Sequence, residues 1–408
     1  MKILHIVAGD LRGGAARGAY WLHHALIEFG IDSKVFTNSN TTLGDDCVIS
    51  TTQTKKDKLS NIFRIQIEQL IVRLYKNQNI FSTGVFGIDF TKIKEYKEAD
   101  IIHLHWINGS FINIKHLSKI DKPIIWTMRD MWPMTGGCHY AMECVKYKIG
   151  CGSCEQLNRN SNYDLSKFIL NRKKKYLPKI MKIVGISNWL SQKAKESLLF
   201  KDFDIRIISN NIDTKAFFPL EKKIAKDILG IKTDKKIILL GSAILKDFYK
   251  GLGKYLEAIN LLDNNKYFLC FFGNVDKSIG DNLGFEYKNF GYLNDNISLR
   301  LAYSCANVFV APSLMDAFGK TLAESMSCGT PVVCFDATGP KDIVTHKKDG
   351  YKAKPFKSED LASGIVWVLN ADNYDELCQN ARKKVLKEFE AKVVAKKYIE
   401  LYEGILND

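Results

Sequence analysis

The sequence predicts an α/β protein built from two Rossmann-like, doubly wound domains, and three observations carry that prediction. Short apolar runs of strand length alternate with helical patterns along nearly the whole chain, as in parallel sheets assembled from βαβ units. The runs fall into two series: Ile3–Val7, Ser33–Thr37, Ile101–His105, Pro123–Thr127 and Lys182–Ile186, then Lys236–Leu240, Tyr267–Phe272, Val308–Ala311 and Pro331–Phe335. Between them lies Ile207-Ile208-Ser209-Asn210-Asn211-Ile212-Asp213, a polar turn leading to Phe217-Phe218-Pro219, where the pattern breaks. With 408 residues the chain has room for two cores. The predicted domains are residues 1–208, residues 209–388 and a closing helix over 389–408.

Composition narrows the class. Apolar residues at 46% and charged residues at 25% are those of a folded globular chain, not a disordered one. No run approaches the roughly 20 apolar residues that span a bilayer. The opening Met1–Asp10 is strand-like and too short for a signal-peptide core, so a cytoplasmic location is expected. Lysine plus arginine outnumber aspartate plus glutamate by 59 to 45, a formal charge of +14. Such a surplus suits anionic partners, or is simply a solvated surface. Nucleic acid is disfavoured, because the charge is dispersed and no nucleic-acid module appears.

Two basic segments admit a membrane reading. Over Lys55–Lys76, Leu59, Ile62, Phe63, Ile67, Leu70, Ile71 and Leu74 fall on one helical face, with Lys55, Lys56, Lys58, Arg64, Arg73 and Lys76 around it. The helix either lies on anionic headgroups or packs its apolar face on the sheet, and the second is the expectation. Arg172-Lys173-Lys174-Lys175 is expected to be a solvated helix face, with a lipid-facing role as the alternative.

Of ten cysteines, Cys47, Cys270, Cys305, Cys328, Cys334 and Cys378 are scattered and read as small core residues. Cys138-x5-Cys144-x6-Cys151-x2-Cys154 is a cluster. Its closing pair has the spacing of one edge of a tetrahedral zinc site, so a structural zinc is a candidate, with free thiols and, last, disulfides the alternatives.

The richest segment is Pro312–Val333. It starts where the strand Val308–Ala311 ends, at the carboxyl edge of a parallel sheet, where open α/β folds bind ligands. A helix is expected from Phe318-Gly319 to Cys328-Gly329, with its first amides available to a diphosphate. Asp316 precedes it and Glu324 lies inside it. These carboxylates either accept hydrogen bonds from sugar and ribose hydroxyls or serve as a helix cap and a solvated glutamate.

This segment, with Asp336-Ala337-Thr338-Gly339-Pro340-Lys341-Asp342-Ile343-Val344 after it, resembles the donor-site motif of glycosyltransferase family 4. That family comprises retaining enzymes of the GT-B architecture, in which two Rossmann-like domains face each other across a cleft. The resemblance implies that Glu324 binds the donor ribose, that Asp316 binds donor-sugar hydroxyls, and that the amides of Phe318, Gly319, Lys320 and Thr321 hold phosphate. Asp316 stands where the family usually has glutamate. Lys250, after Gly241-Ser242-Ala243, matches a diphosphate-binding lysine; the family's arginine is missing, and Lys246 is the candidate substitute. Arg12-Gly13-Gly14-Ala15 resembles the family's glycine loop, which places Gly13 and Gly14 near the donor phosphates.

Further likeness, to the colanic-acid-type polysaccharide glycosyltransferases, rests on His103–Gly109 and Trp126–Tyr140. Arg129 stands where that subgroup commonly has histidine. Arginine is no general base at neutral pH, but it can stabilise a departing phosphate. Asp130, His139 and His105 are the remaining reaction-centre candidates, each equally a satisfied structural residue.

The resulting expectation is retaining transfer of a sugar from a UDP- or GDP-sugar to a lipid-linked glycan in bacterial surface polysaccharide assembly. No catalytic metal is implied, and peripheral contact with an anionic inner-membrane face is a candidate partner interaction. The rivals are a degenerate, non-catalytic partner of another transferase and, less favoured, a basic nucleic-acid-binding protein.

Overall fold

A computed structural model of the chain describes residues 1–39, 43–75, 80–274, 279 and 281–407. It divides into two compact units, one of residues 1–208 with 395–408 and one of residues 209–394. The sheet of the first unit comprises β1 (Lys2–Ile6), β2 (Asp32–Thr37), β3 (Val48–Ser50), β4 (Ile101–Leu104), β5 (Ile124–Met128), β6 (Lys182–Gly185) and β7 (Ile205–Ile207). All pair in parallel, in the order β3-β2-β1-β4-β5-β6-β7. The winding reverses between β1 and β4, so the loops leaving those strands flank a crevice at the carboxyl edge.

The second unit repeats the plan with β8 (Lys236–Gly241), β9 (Tyr267–Phe272), β10 (Tyr287–Asn289), β11 (Val308–Ala311), β12 (Val332–Phe335) and β13 (Gly350–Ala353). Their order is β10-β9-β8-β11-β12-β13, again parallel, with the reversal between β8 and β11. Central strands such as Tyr267–Phe272 are buried along their whole length, as a sheet covered by helices on both faces requires. Leu240, Phe271, Val310 and Val333 from the strands pack with Leu361 and Ile365 from the helix Ser358–Leu369 in one core.

Helix α1 (Gly14–Glu28) follows β1 and buries Ala19, Leu22 and Leu26 at helical spacing. Helix α2 (Lys55–Arg73) begins at a capping box made by Thr54 and Asp57. Its apolar face does not pack on the sheet as expected: Leu59, Ile62, Phe63, Leu70 and Leu74 are exposed. The helix is held instead through Glu68, which is buried. Glu68 accepts hydrogen bonds from Thr83 N at 2.6 Å and Thr83 Oγ1 at 2.7 Å, and from the Ser110 hydroxyl. Lys76 lies outside the described residues.

The helix Leu165–Tyr176 corrects a second expectation. Lys173, expected in solvent with its basic neighbours, is fully buried. Its ammonium donates to the carbonyls of Trp132 and, at 2.9 Å, Thr135, and sits 3.6 Å from the centroid of the Trp132 ring. Burial pushes its pKa down to about 7.

Candidate functional site

In the second unit the candidate residues gather where the sheet order reverses. The chain leaving β8 closes a short turn, Phe248–Lys250, and meets the loop leaving β11: Leu314 N and Met315 N donate to Tyr249 O at 2.8 and 3.2 Å. Gly251 makes that approach possible. A β-carbon there would stand 1.8 Å from Pro312 O, and its φ of +73° is left-handed. The two loops together bring Lys250 Nζ to 2.8 Å from Asp316 Oδ2.

Asp316 Oδ1 accepts from the amides of Phe318 and Gly319 at 3.2 and 3.1 Å. Burial alone would raise the Asp316 pKa; the Lys250 ammonium and those amides outweigh it and hold the carboxyl below its ordinary value. Asp316 therefore caps the turn before the helix Lys320–Ser327 and, with its other oxygen, faces a lysine. Of the four amides expected to bind phosphate, those of Phe318 and Gly319 already serve this carboxylate. Gly339 seals the arrangement from the other side: its N–H donates to Asp316 O at 2.9 Å, and a β-carbon on it would stand 2.3 Å from the Ala317 carbonyl.

Glu324 is fully buried rather than solvated. Tyr303, on the helix Asn296–Cys305, donates its hydroxyl to Glu324 Oε2 at 3.0 Å. Lys246 is exposed, and Lys320 and Thr321 form the first turn of the helix.

In the first unit the candidates follow β1, β4 and β5. Asp10 Oδ1 accepts from Arg12 N and Gly13 N at 3.0 and 3.2 Å, turning the chain into α1 with Gly13 as its N-cap. No packing forces glycine here. A β-carbon on Gly14 would meet nothing within 4 Å, and one on Gly13 only Asp10 at 3.8 Å. The space over the start of α1 is thus open.

The register pairs His5 of β1 with His103 of β4. His105, two residues further along, shares their face. All three imidazoles are buried. His5 Nδ1 lies 2.9 Å from His105 Nε2, while His103 is bonded to Tyr402 and Thr127 hydroxyls, both at 2.7 Å. Arg129, just past β5, donates from Nη2 to His105 Nδ1 at 3.1 Å. Burial pushes all three histidines well below their ordinary pKa, and the neighbouring rings and the Arg129 charge push the same way. They are neutral, which fits them to sit beside a fixed guanidinium.

Asp130 and His139 form a separate pair. Asp130 Oδ2 lies 2.6 Å from His139 Nδ1 and accepts from Trp106 Nε1 at 2.9 Å, and Oδ1 accepts from Trp132 N at 2.8 Å. On its far side His139 Nε2 meets Ser82 Oγ at 2.9 Å. Sequence reasoning missed Ser82, His5 and Tyr303. None stands in a motif, and only the strand register and loop closure bring them to their partners.

The four clustered cysteines share one loop, and none of the ten is in a disulfide. Burial pushes the Cys138 thiol up to about 12 and Cys151 up to about 11. A zinc tetrathiolate needs sulfurs roughly 3.8 Å apart. Among the described residues, the groups of three donor atoms within 4.8 Å of one another are His5, His103 and His105, and His23, His24 and Asp45. No three of the clustered sulfurs lie that close, but Cys138, Cys144, Cys151 and Cys154 share one neighbourhood, where, beyond burial, the neighbouring sulfurs raise the pKa of Cys138, Cys151 and Cys154. Of the scattered six, Cys270, Cys305, Cys328 and Cys334 are buried, as a core role requires, while Cys47 and Cys378 are half-buried.

Residues 221–385 match the family described as Glycosyl transferases group 1. The N,N'-diacetylbacillosaminyl-diphospho-undecaprenol alpha-1,3-N-acetylgalactosaminyltransferase of Campylobacter jejuni is 24% identical over 253 residues, covering 60% of this chain and 66% of that one. A putative colanic acid biosynthesis glycosyl transferase of Escherichia coli is 23% identical over 371 residues, covering 86% and 87%. Sucrose-phosphate synthase of Thermosynechococcus elongatus has the same fold, with a TM-score of 0.72 over 100% of this chain and 99% of that one at 19% identity.

Proposed function

We propose, from the premise that this chain is a nucleotide-sugar-dependent glycosyltransferase whose residues 221–385 form a group 1 domain, that it transfers a sugar with retention to a lipid-linked glycan in bacterial surface polysaccharide assembly. The observation that carries the donor side of this reading is the Lys250–Asp316 pair at the reversal point of the second sheet. A diphosphate arriving there would take Lys250 Nζ from Asp316, aided by the first turn of the helix Lys320–Ser327, whose dipole favours negative charge. Asp316, released from the lysine, would accept from hydroxyls of the sugar, and Glu324 from the ribose. In the reaction the bond from the sugar's anomeric carbon to the diphosphate breaks, one to the acceptor oxygen forms on the same face, and the acceptor hydroxyl's proton passes to the departing diphosphate.

The first unit supplies the open glycine loop at Gly13 and Gly14, the fixed charge of Arg129, and the Asp130–His139 pair. We assign these to the acceptor. Arg129 supplies charge rather than base chemistry, because guanidinium stays protonated.

The lipid-linked acceptor is favoured by the activity for which the Campylobacter relative is named, and by α2. Its exposed apolar stripe and flanking Lys55, Lys56, Lys58 and Arg73 suit an anionic membrane surface. Among the described residues, no helix is long and apolar enough to cross a membrane.

The test is thermal shift with UDP-, GDP- and ADP-sugars, followed by transfer assays on undecaprenyl-diphosphate-linked saccharides. Stabilisation by one nucleotide class with transfer and an unchanged anomeric configuration supports the reading. Inversion, or turnover only on soluble acceptors, overturns it.

A further inference from the structure

We propose that His23, His24 and Asp45 form a site for a single divalent transition-metal ion of the zinc class. The site lies wholly within the first unit, near the end of α1 remote from the glycine loop. Adjacent residues on a helix point about 100° apart and do not normally face one target. Yet both imidazoles turn Nε2 toward one oxygen: Asp45 Oδ2 stands 3.5 Å from His23 Nε2 and 3.4 Å from His24 Nε2. All three donor atoms lie within 4.8 Å of one another.

Those separations have a plain meaning. A tetrahedral ion with metal–nitrogen and metal–oxygen bonds of about 2.0–2.1 Å requires its ligands to be roughly 3.3–3.4 Å apart. A direct hydrogen bond would draw the same atoms to about 2.9 Å. The geometry is therefore long for hydrogen bonding and close to the edge length of a metal tetrahedron.

The side chains are also held as metal ligands are. His23 is fully buried, and its Nε2 has no hydrogen-bond partner. Its Nδ1 lies 2.8 Å from Ser33 Oγ, a contact that fixes the ring with Nε2 turned toward Asp45. Asp45 is fixed in turn: Oδ1 accepts from Cys47 N at 2.8 Å, and Oδ2 accepts from the Tyr20 hydroxyl at 3.2 Å. Tyr20 also stacks edge-on against His24 with centroids 4.4 Å apart, one helical turn away. Two imidazoles and one carboxylate are the ligand set of zinc, cobalt or nickel rather than of calcium or magnesium, which take oxygen ligands. His24 is 48% exposed, so the fourth position opens to solvent. A metal here would pin α1 to the loop that enters β3.

The histidines around His5 show the contrast. They too lie within 4.8 Å of one another, but His103 has hydroxyls on both nitrogens and His105 faces Arg129, a cation. They offer an ion too few lone pairs and a repelling charge.

The test begins with chelator-treated full-length protein titrated with Co2+ and Zn2+. The expected result is one tightly held Co2+ per chain, with visible d–d absorption and no sulfur-to-cobalt charge-transfer band. Zn2+ should raise the melting temperature by about 5 °C or more at roughly hundredfold excess over Kd. His24→Ala and Asp45→Asn should each weaken uptake by about a hundredfold. His24 is half exposed, so the first variant keeps the fold. The proposal is overturned by absence of uptake, by a sulfur charge-transfer band that puts the metal on the cysteines, or by uptake that both variants leave unchanged.

Discussion

Lys250 Nζ and Asp316 Oδ2 meet at 2.8 Å across two loops that leave neighbouring strands of one sheet. Each is the other's partner in the absence of ligand, and each is the group proposed to touch a different part of the donor. Binding therefore exchanges one charge-assisted bond for two. Lys250→Ala should weaken nucleotide-sugar binding by about ten- to hundredfold, the worth of one charge-assisted hydrogen bond. It should lower kcat further, because charge on the diphosphate grows as the bond breaks. Lys250→Arg should recover part of the affinity. Donor titration and steady-state kinetics on the three proteins decide this, and equal donor affinity in all of them removes Lys250 from the site.

Glu324 poses a different question, since a buried carboxylate bonded to Tyr303 has a structural use whatever else it does. Gln can still accept from the Tyr303 hydroxyl, so Glu324→Gln should fold normally. It should bind donor about tenfold or more weakly if the carboxylate holds ribose. Tyr303→Phe removes the other partner: it should cost about 1–3 kcal/mol of stability and change donor affinity by less than about threefold. A Glu324→Gln protein that binds donor like the wild type makes this residue purely structural.

Asp316 and Glu324 show what a local motif can place, and their positions around one helix start follow from helix geometry. The Lys250–Asp316 pairing could not be read the same way, because it depends on Gly251 letting one loop pass against Pro312. The central strands were legible because burial on both faces leaves unbroken apolar runs, as in Tyr267–Phe272. The edge strands were not: Tyr287–Asn289 has no apolar run, and β3, β7 and β13 are only three or four residues long. Lys173 illustrates the limit for single residues. Its neighbours in the chain are basic, and only the fold places a ring and two carbonyls over its ammonium.

The buried histidines of β1 and β4 make stability depend on pH. Unfolded, each has a pKa of about 6.5; folded, His5, His103 and His105 lie well below that. Between the two values the unfolded chain binds protons that the folded chain does not. Their contribution is complete above pH 6.5 and is lost as pH falls below it, at up to about 1.4 kcal/mol per unit for each ring. His23, pushed down to about 4 mainly by burial, adds in the same direction. Trp21, Trp106, Trp126, Trp132 and Trp189 all lie in this unit, so tryptophan fluorescence follows its unfolding. Urea midpoints should fall gently from pH 8 to 6.5, where buried Lys173 binds its proton less readily than it does in the unfolded chain, and drop steeply by pH 5.5. His5→Gln should lower stability throughout but flatten the drop by about a quarter. A flat wild-type profile would mean that these rings take up protons in the folded state.

The exposed face of α2 leads to the last prediction. Leu59, Phe63, Leu70 and Leu74 are each more than 60% exposed. Fully burying such a side chain is worth about 1.5–3 kcal/mol, so the stripe leaves several kcal/mol of transfer free energy unclaimed by the fold. Basic residues beside it add about 1 kcal/mol each near an anionic surface. The helix should therefore bind vesicles containing phosphatidylglycerol, bind neutral phosphatidylcholine vesicles far more weakly, and release as salt rises. Phe63→Ser with Leu70→Ser should abolish co-sedimentation while leaving the melting temperature within a degree or two, because neither side chain supports the core. Glu68→Ala should do the reverse locally, freeing the anchored helix by leaving Thr83 and Ser110 without their acceptor. If the double serine variant instead melts well below the wild type, the stripe is packed in solution, and the membrane assignment of α2 fails.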